Sequence, residues 1–106
     1  MTLPLVSRAA VLTSFKHPLE LKDDWPVTQP SELLPGECLI EMEYAGCCQS
    51  DIHIRDNDWG ADASIPLVGG HEGVGRIVAI AENTSAHQVS VGDRVGIKWF
   101  ANACLR

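Results

Sequence analysis

The chain is 106 residues long and 45% hydrophobic, which suits one small domain with a modest core. Its net charge of −6, from 8 Lys and Arg against 14 Asp and Glu, sets it against the phosphates of nucleic acid, and no basic run offsets this. No apolar run is long enough to span a bilayer, and "MTLPLVSRAAVLTSF" lacks the positive leader and apolar core of a secretory signal, so a soluble cytoplasmic protein is expected.

The first predicted element is a short β-type run, "SRAAVLTSF". "LELKDDWPV" alternates apolar and polar residues, as a half-buried strand should. A turn at Pro35-Gly36 then leads into a strand from Glu37 to Ala45. Its period of two places Cys38, Ile40, Met42 and Tyr44 on one face, and Cys38 reads as a buried core thiol. "CQSDIHIRDN" reads as a strand end followed by a short helix with Ser50 or Asp51 as its cap. "DWGADASIPLVGG" is a loop of small residues and turn formers. "HEGVGRIVAIAEN" moves from a glycine-rich turn into a strand over Arg76 to Ala81. Val91-Gly92-Asp93-Arg94 is a hairpin-type turn before a last strand that runs into Trp99. Short strands at this spacing with one short helix predict a mainly β, barrel-like module.

Four cysteines, Cys38, Cys47, Cys48 and Cys104, fit free thiols or metal ligands better than disulfides in a reducing compartment. Cys47 and Cys48 are adjacent, and neighbours cannot reach disulfide geometry without strain. Thiolate and imidazole are preferred zinc ligands, which singles out Cys48 and His71. Each is followed by a carboxylate, Asp51 and Glu72, of the kind that orients ligating histidines. Spacing alone does not separate such a pair from two unrelated residues. Ser50 and His53 share a helix face at i and i+3 and together can pass a proton. A helix cap beside a surface histidine is the plainer reading of the same pair.

"GGHEGVG" fails as a dinucleotide fingerprint, because no βαβ unit surrounds it and the third glycine is missing. It fails as a metalloprotease motif because Gly75 stands where the second histidine belongs. What is left is a turn where backbone must approach something closely.

"YAGCCQSDIH", "IPLVGGHEGVGRIV" and "VGDRVGIKWF", in this order and spacing, closely resemble the N-terminal part of the zinc-containing alcohol dehydrogenases of the medium-chain dehydrogenase/reductase family, most closely the yeast and fungal type. The resemblance covers nearly the whole chain, and "GHEGVG" is its most specific signature. It implies a GroES-like, partly open β-barrel, followed in the family by a Rossmann domain for NAD. It implies that Cys48 and His71 ligate a catalytic zinc, with Glu72 beside the histidine and able to exchange with water on the metal. Asp51 is implied to orient the ligand histidine, Ser50 to take the alcohol proton, and His53 to form the outer end of the relay. Trp59 and Trp99 match aromatic residues lining a narrow substrate pocket that favours small primary alcohols. Cys104 matches the first of four cysteines of a structural zinc site. The implied reaction is oxidation of a primary alcohol to its aldehyde by hydride transfer to NAD, in enzymes that are homo-oligomers.

Three departures from the family stand out. Gln49 replaces a basic residue that contacts the coenzyme pyrophosphate, which weakens that contact. "GADAS" after Trp59 replaces a proline-containing segment. The third catalytic ligand, three structural cysteines and the Rossmann domain would lie beyond Arg106, so residues 1–106 read as an incomplete N-terminal domain, inactive alone and weak for zinc. Two rivals remain: a GroES-like module that binds a protein partner without catalysis, and a zinc-free quinone oxidoreductase relative. Cys48, His71 and Cys104 argue against the second.

Overall fold

A computed structural model describes residues 2–85 and 88–99. Five strands and one α-helix appear among them, in the order β1 (Val6–Val11), β2 (Glu20–Pro26), β3 (Cys38–Ala45), α1 (Gln49–Asp56), β4 (Gly73–Ile80) and β5 (Arg94–Ile97). A 3-10 turn, Pro30–Glu32, precedes β3. The expected mainly β fold with one short helix is therefore present. The described residues divide into two compact units, those within 1–27 and 47–70 and those within 28–46 and 71–106.

In the first unit β1 and β2 pair antiparallel, from Val6 opposite Pro26 to Val11 opposite Glu20, with an irregularity between Ser7 and Ala9. Leu12 continues the chain as a bridge to Leu67, with bonds of 2.8 and 3.0 Å in the two directions. Val11 and Leu12 are buried. The apolar residues at the start of this run do not form the covered face that their alternation predicts: Leu21 of β2 is 75% exposed and Leu19, just before it, 49%, whereas Lys22 and Trp25 are half-buried. Lys22, opposite Ala9, has its ammonium 3.1 Å from the Glu20 carboxylate. The helix α1 is tied to the β1–β2 connection by the Lys16 N–H, which donates to the Arg55 carbonyl at 2.9 Å.

In the second unit β4 is the central strand of the sheet β3-β4-β5, antiparallel to both neighbours. The predicted glycine-rich turn is in fact strand: β4 begins at Gly73 and contains Gly75. The close approach is real, but it lies inside the sheet. A Cβ at Gly75 would strike the Glu41 carbonyl oxygen and the Ile40 side chain. The turn before β5 is not a hairpin between β4 and β5. It closes on itself, with Asp93 N–H donating to Ser90 O at 3.0 Å and Gly92 at φ 97°, and it bonds to Ile77 on β4 in both directions. The strand β5 stops at Ile97, before Trp99.

Cys38 is exposed, not the core thiol expected. It is the first residue of β3, and the half-buried residues there are its neighbours Leu39 and Ile40; opposite them the register shifts on β4, where Val78 is skipped between Ala79 and Ile77. Ile77 and Ala81 are the buried apolar side chains of this unit among the described residues.

Two outcomes are expected. Gly75→Ala should destabilise the chain by about 2 kcal/mol, since the added methyl meets backbone that cannot yield. Gly96→Ala, whose Cβ would find nothing nearer than 3.8 Å, should be close to neutral. Chemical denaturation of both variants decides this, and equal losses would contradict the packing described. In native protein, alkylation followed by mass spectrometry should modify Cys38 and Cys47 before the half-buried Cys48.

Candidate functional site

In the first unit one short helix carries most of the candidate residues. Cys48, in extended backbone at φ −127° and ψ 178°, is the N-cap of α1, in place of the Ser50 or Asp51 expected. Its sulfur accepts from the Ser50 N–H at 3.3 Å, and its own N–H donates to the Asp51 carboxylate at 3.0 Å. This is a reciprocal capping box with sulfur in the place of the usual oxygen. Asp51 therefore has a structural task beside any other. Cys47 is exposed, and its sulfur lies 3.9 Å from the Cys48 carbonyl. Gln49, the first residue of α1, is exposed.

Ser50 and His53 are both half-buried on α1. His53 directs its Nδ1 to Asp58 at 3.1 Å rather than to Ser50. Trp59 stacks on the His53 ring with centroids 5.0 Å apart and planes at 29°. Next along the helix, Arg55 donates to both oxygens of Asp56 at 2.7 and 3.1 Å. That hydrogen bonding holds the Asp56 carboxyl below its ordinary pKa, and raises that of Arg55.

In the second unit Glu72 follows His71, and its carboxylate lies 3.8 Å from His71 Nε2. The Glu72 carbonyl accepts from Gly46 N–H at 3.0 Å, and a side chain at Gly46 would run into that of Glu72. Trp99 is tilted at 55° against the His71 ring, centroids 4.7 Å apart. Each of the two tryptophans expected to line a substrate pocket thus lies on a histidine, and each is about half exposed. An open cavity of about 510 Å³ in the first unit, walled by Val11, Trp25, Ile65 and Pro66 with Thr13, Lys22 and Asp24, includes none of the candidate residues. Cys104 lies outside the described residues.

The donors fit zinc chemically. A thiol and an imidazole, both half-buried, are the soft and borderline ligands the metal prefers, and Glu72 adds an oxygen donor. Sequence reasoning missed Asp58. The only signal for it was Asn57 at the helix end, a residue suited to the left-handed turn that returns the chain onto His53.

The family model of the alcohol dehydrogenase GroES-like domain matches residues 34–106. An alcohol dehydrogenase of Geobacillus stearothermophilus is 42% identical over 97 residues, 92% of this chain and 27% of the relative. One from Schizosaccharomyces pombe (strain 972 / ATCC 24843) is 36% identical over 105 residues, 98% of this chain and 29% of the relative. Among solved structures, an alcohol dehydrogenase zinc-binding domain protein from Burkholderia ambifaria matches with a TM-score of 0.67 at 27% identity, covering 82% of this chain and 21% of the other. The chain thus spans less than a third of the length of the relatives it matches. Mainly β, with its helix opening on Cys48 and its central strand beginning just after His71-Glu72, the chain belongs to the alcohol dehydrogenase GroES-like domain family.

Proposed function

We propose that this chain supplies the N-terminal part of the catalytic domain of a zinc-dependent, yeast-type alcohol dehydrogenase, acting on small primary alcohols with NAD. The observation that carries the reading is α1 itself. Within six residues it fixes a thiol, a hydroxyl, a carboxylate and an imidazole, Cys48, Ser50, Asp51 and His53, three of them tied by hydrogen bonds. The relatives' names support it: two are alcohol dehydrogenases, and the third is called a zinc-binding domain protein.

In this reading Cys48 and His71 hold the catalytic zinc, with Glu72 as an exchangeable neighbour and Asp51 orienting the ligand set, and Cys104 belongs to a structural zinc site. Zinc and NAD, when bound, supply a Lewis acid that makes an alcohol more acidic and an acceptor for its hydride. The chain's own residues handle the proton. Ser50 accepts it from the alcohol hydroxyl while giving up its own hydroxyl proton, and His53 takes a proton up on the far side of the relay and releases one to water. Trp59 and Trp99 limit the width of the pocket, and neutral Gln49 gives the coenzyme phosphates no charge to pair with. Coenzyme binding belongs to a domain outside this chain, and the whole enzyme is a cytoplasmic homo-oligomer. Cys38, Cys47 and Cys48 are not joined in disulfides, which fits a reducing compartment.

A second reading, a GroES-like module that binds a protein partner without catalysis, draws on the exposed apolar residues Leu5, Leu21 and Tyr44, at 74%, 75% and 71%. Cobalt separates the two. Titration of the full chain with Co²⁺ should raise a thiolate-to-cobalt absorption band that Cys48→Ala abolishes and His71→Ala weakens. Asp51→Asn, which keeps an acceptor for the cap, should lower affinity about 10- to 100-fold. Absence of the band in the unmodified chain would favour the partner module.

Dialysed chain should retain less than one zinc, and it should form no NADH from NAD and ethanol. Turnover of ethanol by the 106 residues alone would refute the division of labour proposed here.

A further inference from the structure

We propose that Asp58 is a positioning residue for His53: it fixes the imidazole as the Nδ1–H tautomer and so makes Nε2 the atom that takes up and releases a proton. The significance of this for catalysis rests on the relay reading above, but the tautomer does not.

The inference starts from hydrogen-bonding capacity. An ionised carboxylate only accepts, so the 3.1 Å contact between His53 Nδ1 and Asp58 Oδ2 requires the proton on Nδ1. The bond made by one ring nitrogen then sets the role of the other.

The contact is built into the end of the helix. Asn57 adopts the left-handed conformation, φ 54° and ψ 35°, and its N–H donates to the Ile54 carbonyl at 3.2 Å. The chain reverses there, and the Asp58 N–H donates to the carbonyl of His53 at 3.0 Å. Asp58 is therefore bonded through its backbone to the same residue its side chain holds. Asn57 also closes the loop that follows, donating from Nδ2 to Asp62 at 3.0 Å and accepting the Asp62 N–H at 3.1 Å. Within that loop Trp59 stacks on the imidazole face. Edge and face of the ring are held by consecutive residues. Arg55, the cation nearest along the chain, is engaged by Asp56 in two bonds.

The proton balance is simple. Nε2 offers its lone pair, takes one proton and becomes imidazolium beside the Asp58 carboxylate. The same nitrogen then yields one proton to water, while the Nδ1–H bond is never broken. Side-chain exposures of 31% for His53 and 49% for Asp58 give solvent its access.

Long-range ¹H–¹⁵N correlation spectra of the full chain at about pH 8, where an ordinary imidazole is neutral, read the tautomer directly. His53, assigned by its loss in His53→Gln, should show a protonated Nδ1 and an unprotonated Nε2. Asp58→Ala should convert it to the Nε2–H form. Asp58→Asn, whose amide oxygen still accepts, should keep Nδ1–H. An Nε2–H tautomer in the unmodified chain, or an unchanged pattern in a folded Asp58→Ala, would overturn the proposal. If Asp58→Ala does not fold, the unmodified chain and Asp58→Asn still decide it. Failure of the cobalt titration with this tautomer intact would remove the zinc reading and leave the role of Asp58 standing.

Discussion

The close approach of β4 to β3 at Gly75 is the constraint on which the second unit depends. A side chain there would meet the carbonyl of Glu41, and backbone within a sheet cannot move aside. At Gly73 the obstacle would be chiefly the terminal methyl of Met42, which can swing away. Gly75 is thus the stricter requirement. With it in place the pairing runs from Cys38 opposite Ile80 to Ala45 opposite Gly73, and extends one step further as the bond from Gly46 N–H to Glu72 O. The backbone position of Glu72 follows from the ladder. Glu43 bridges the strands on one face, accepting from Arg76 at 2.9 Å and from Arg94 at 2.8 Å. Both arginines are about half exposed, so each pair contributes at most about 1 kcal/mol. Steric exclusion at Gly75 therefore outweighs the ion pairs in setting the register.

The helix α1 has only eight residues, too few to persist in water on propensity alone. Its ends are secured by side chains: the reciprocal Cys48 and Asp51 bonds at the start, and the left-handed Asn57 with its loop to Asp62 at the finish. The groups that stabilise the helix are the groups that bear chemistry, or adjoin them. Such an arrangement fixes reactive side chains without a large core beneath them. It also means that changes at these positions act on both stability and chemistry, so a conservative variant such as Asp51→Asn says more than a deletion to alanine.

The strands were legible because turn residues bound them. Pro35-Gly36 before β3 and Val91-Gly92 before β5 mark real boundaries, and the helix lies within the run "CQSDIHIRDN", although it starts at Gln49, ahead of the Ser50 or Asp51 cap expected. Faces were less legible. Period-two alternation sorts residues onto two sides of a strand, but it does not say how well either side is covered at the strand's first residue, and there Cys38 is exposed. Glycines misled in a different way. Gly73 and Gly75 read as a turn, because sequence cannot tell a glycine needed for positive φ from one needed for close packing. Of the candidate site, Cys48, Ser50, Asp51, His53, His71 and Glu72 could be named from residue type, but only the resemblance of "YAGCCQSDIH" and "GHEGVG" to family motifs joined them into one site. Asp58 could not, because its role depends on a chain reversal at Asn57 that no spacing rule encodes.

The choice between the adjacent thiols can be argued from the cap. At an N-cap, oxygen is the better acceptor, and Ser, Asp or Asn at position 48 would secure α1 more firmly than a thiol does. The 3.3 Å bond from Ser50 N–H to sulfur is the weaker substitute. Capping alone therefore gives no reason for cysteine here. Sulfur has an advantage over oxygen in binding a borderline-soft metal, and accepting one N–H leaves it lone pairs for that purpose. Cys47 has no such constraint: its side chain is exposed and only grazes the Cys48 carbonyl. A residue that is second best for its structural task and best for a chemical one is better explained by the chemistry, and of the two neighbours only Cys48 meets that description.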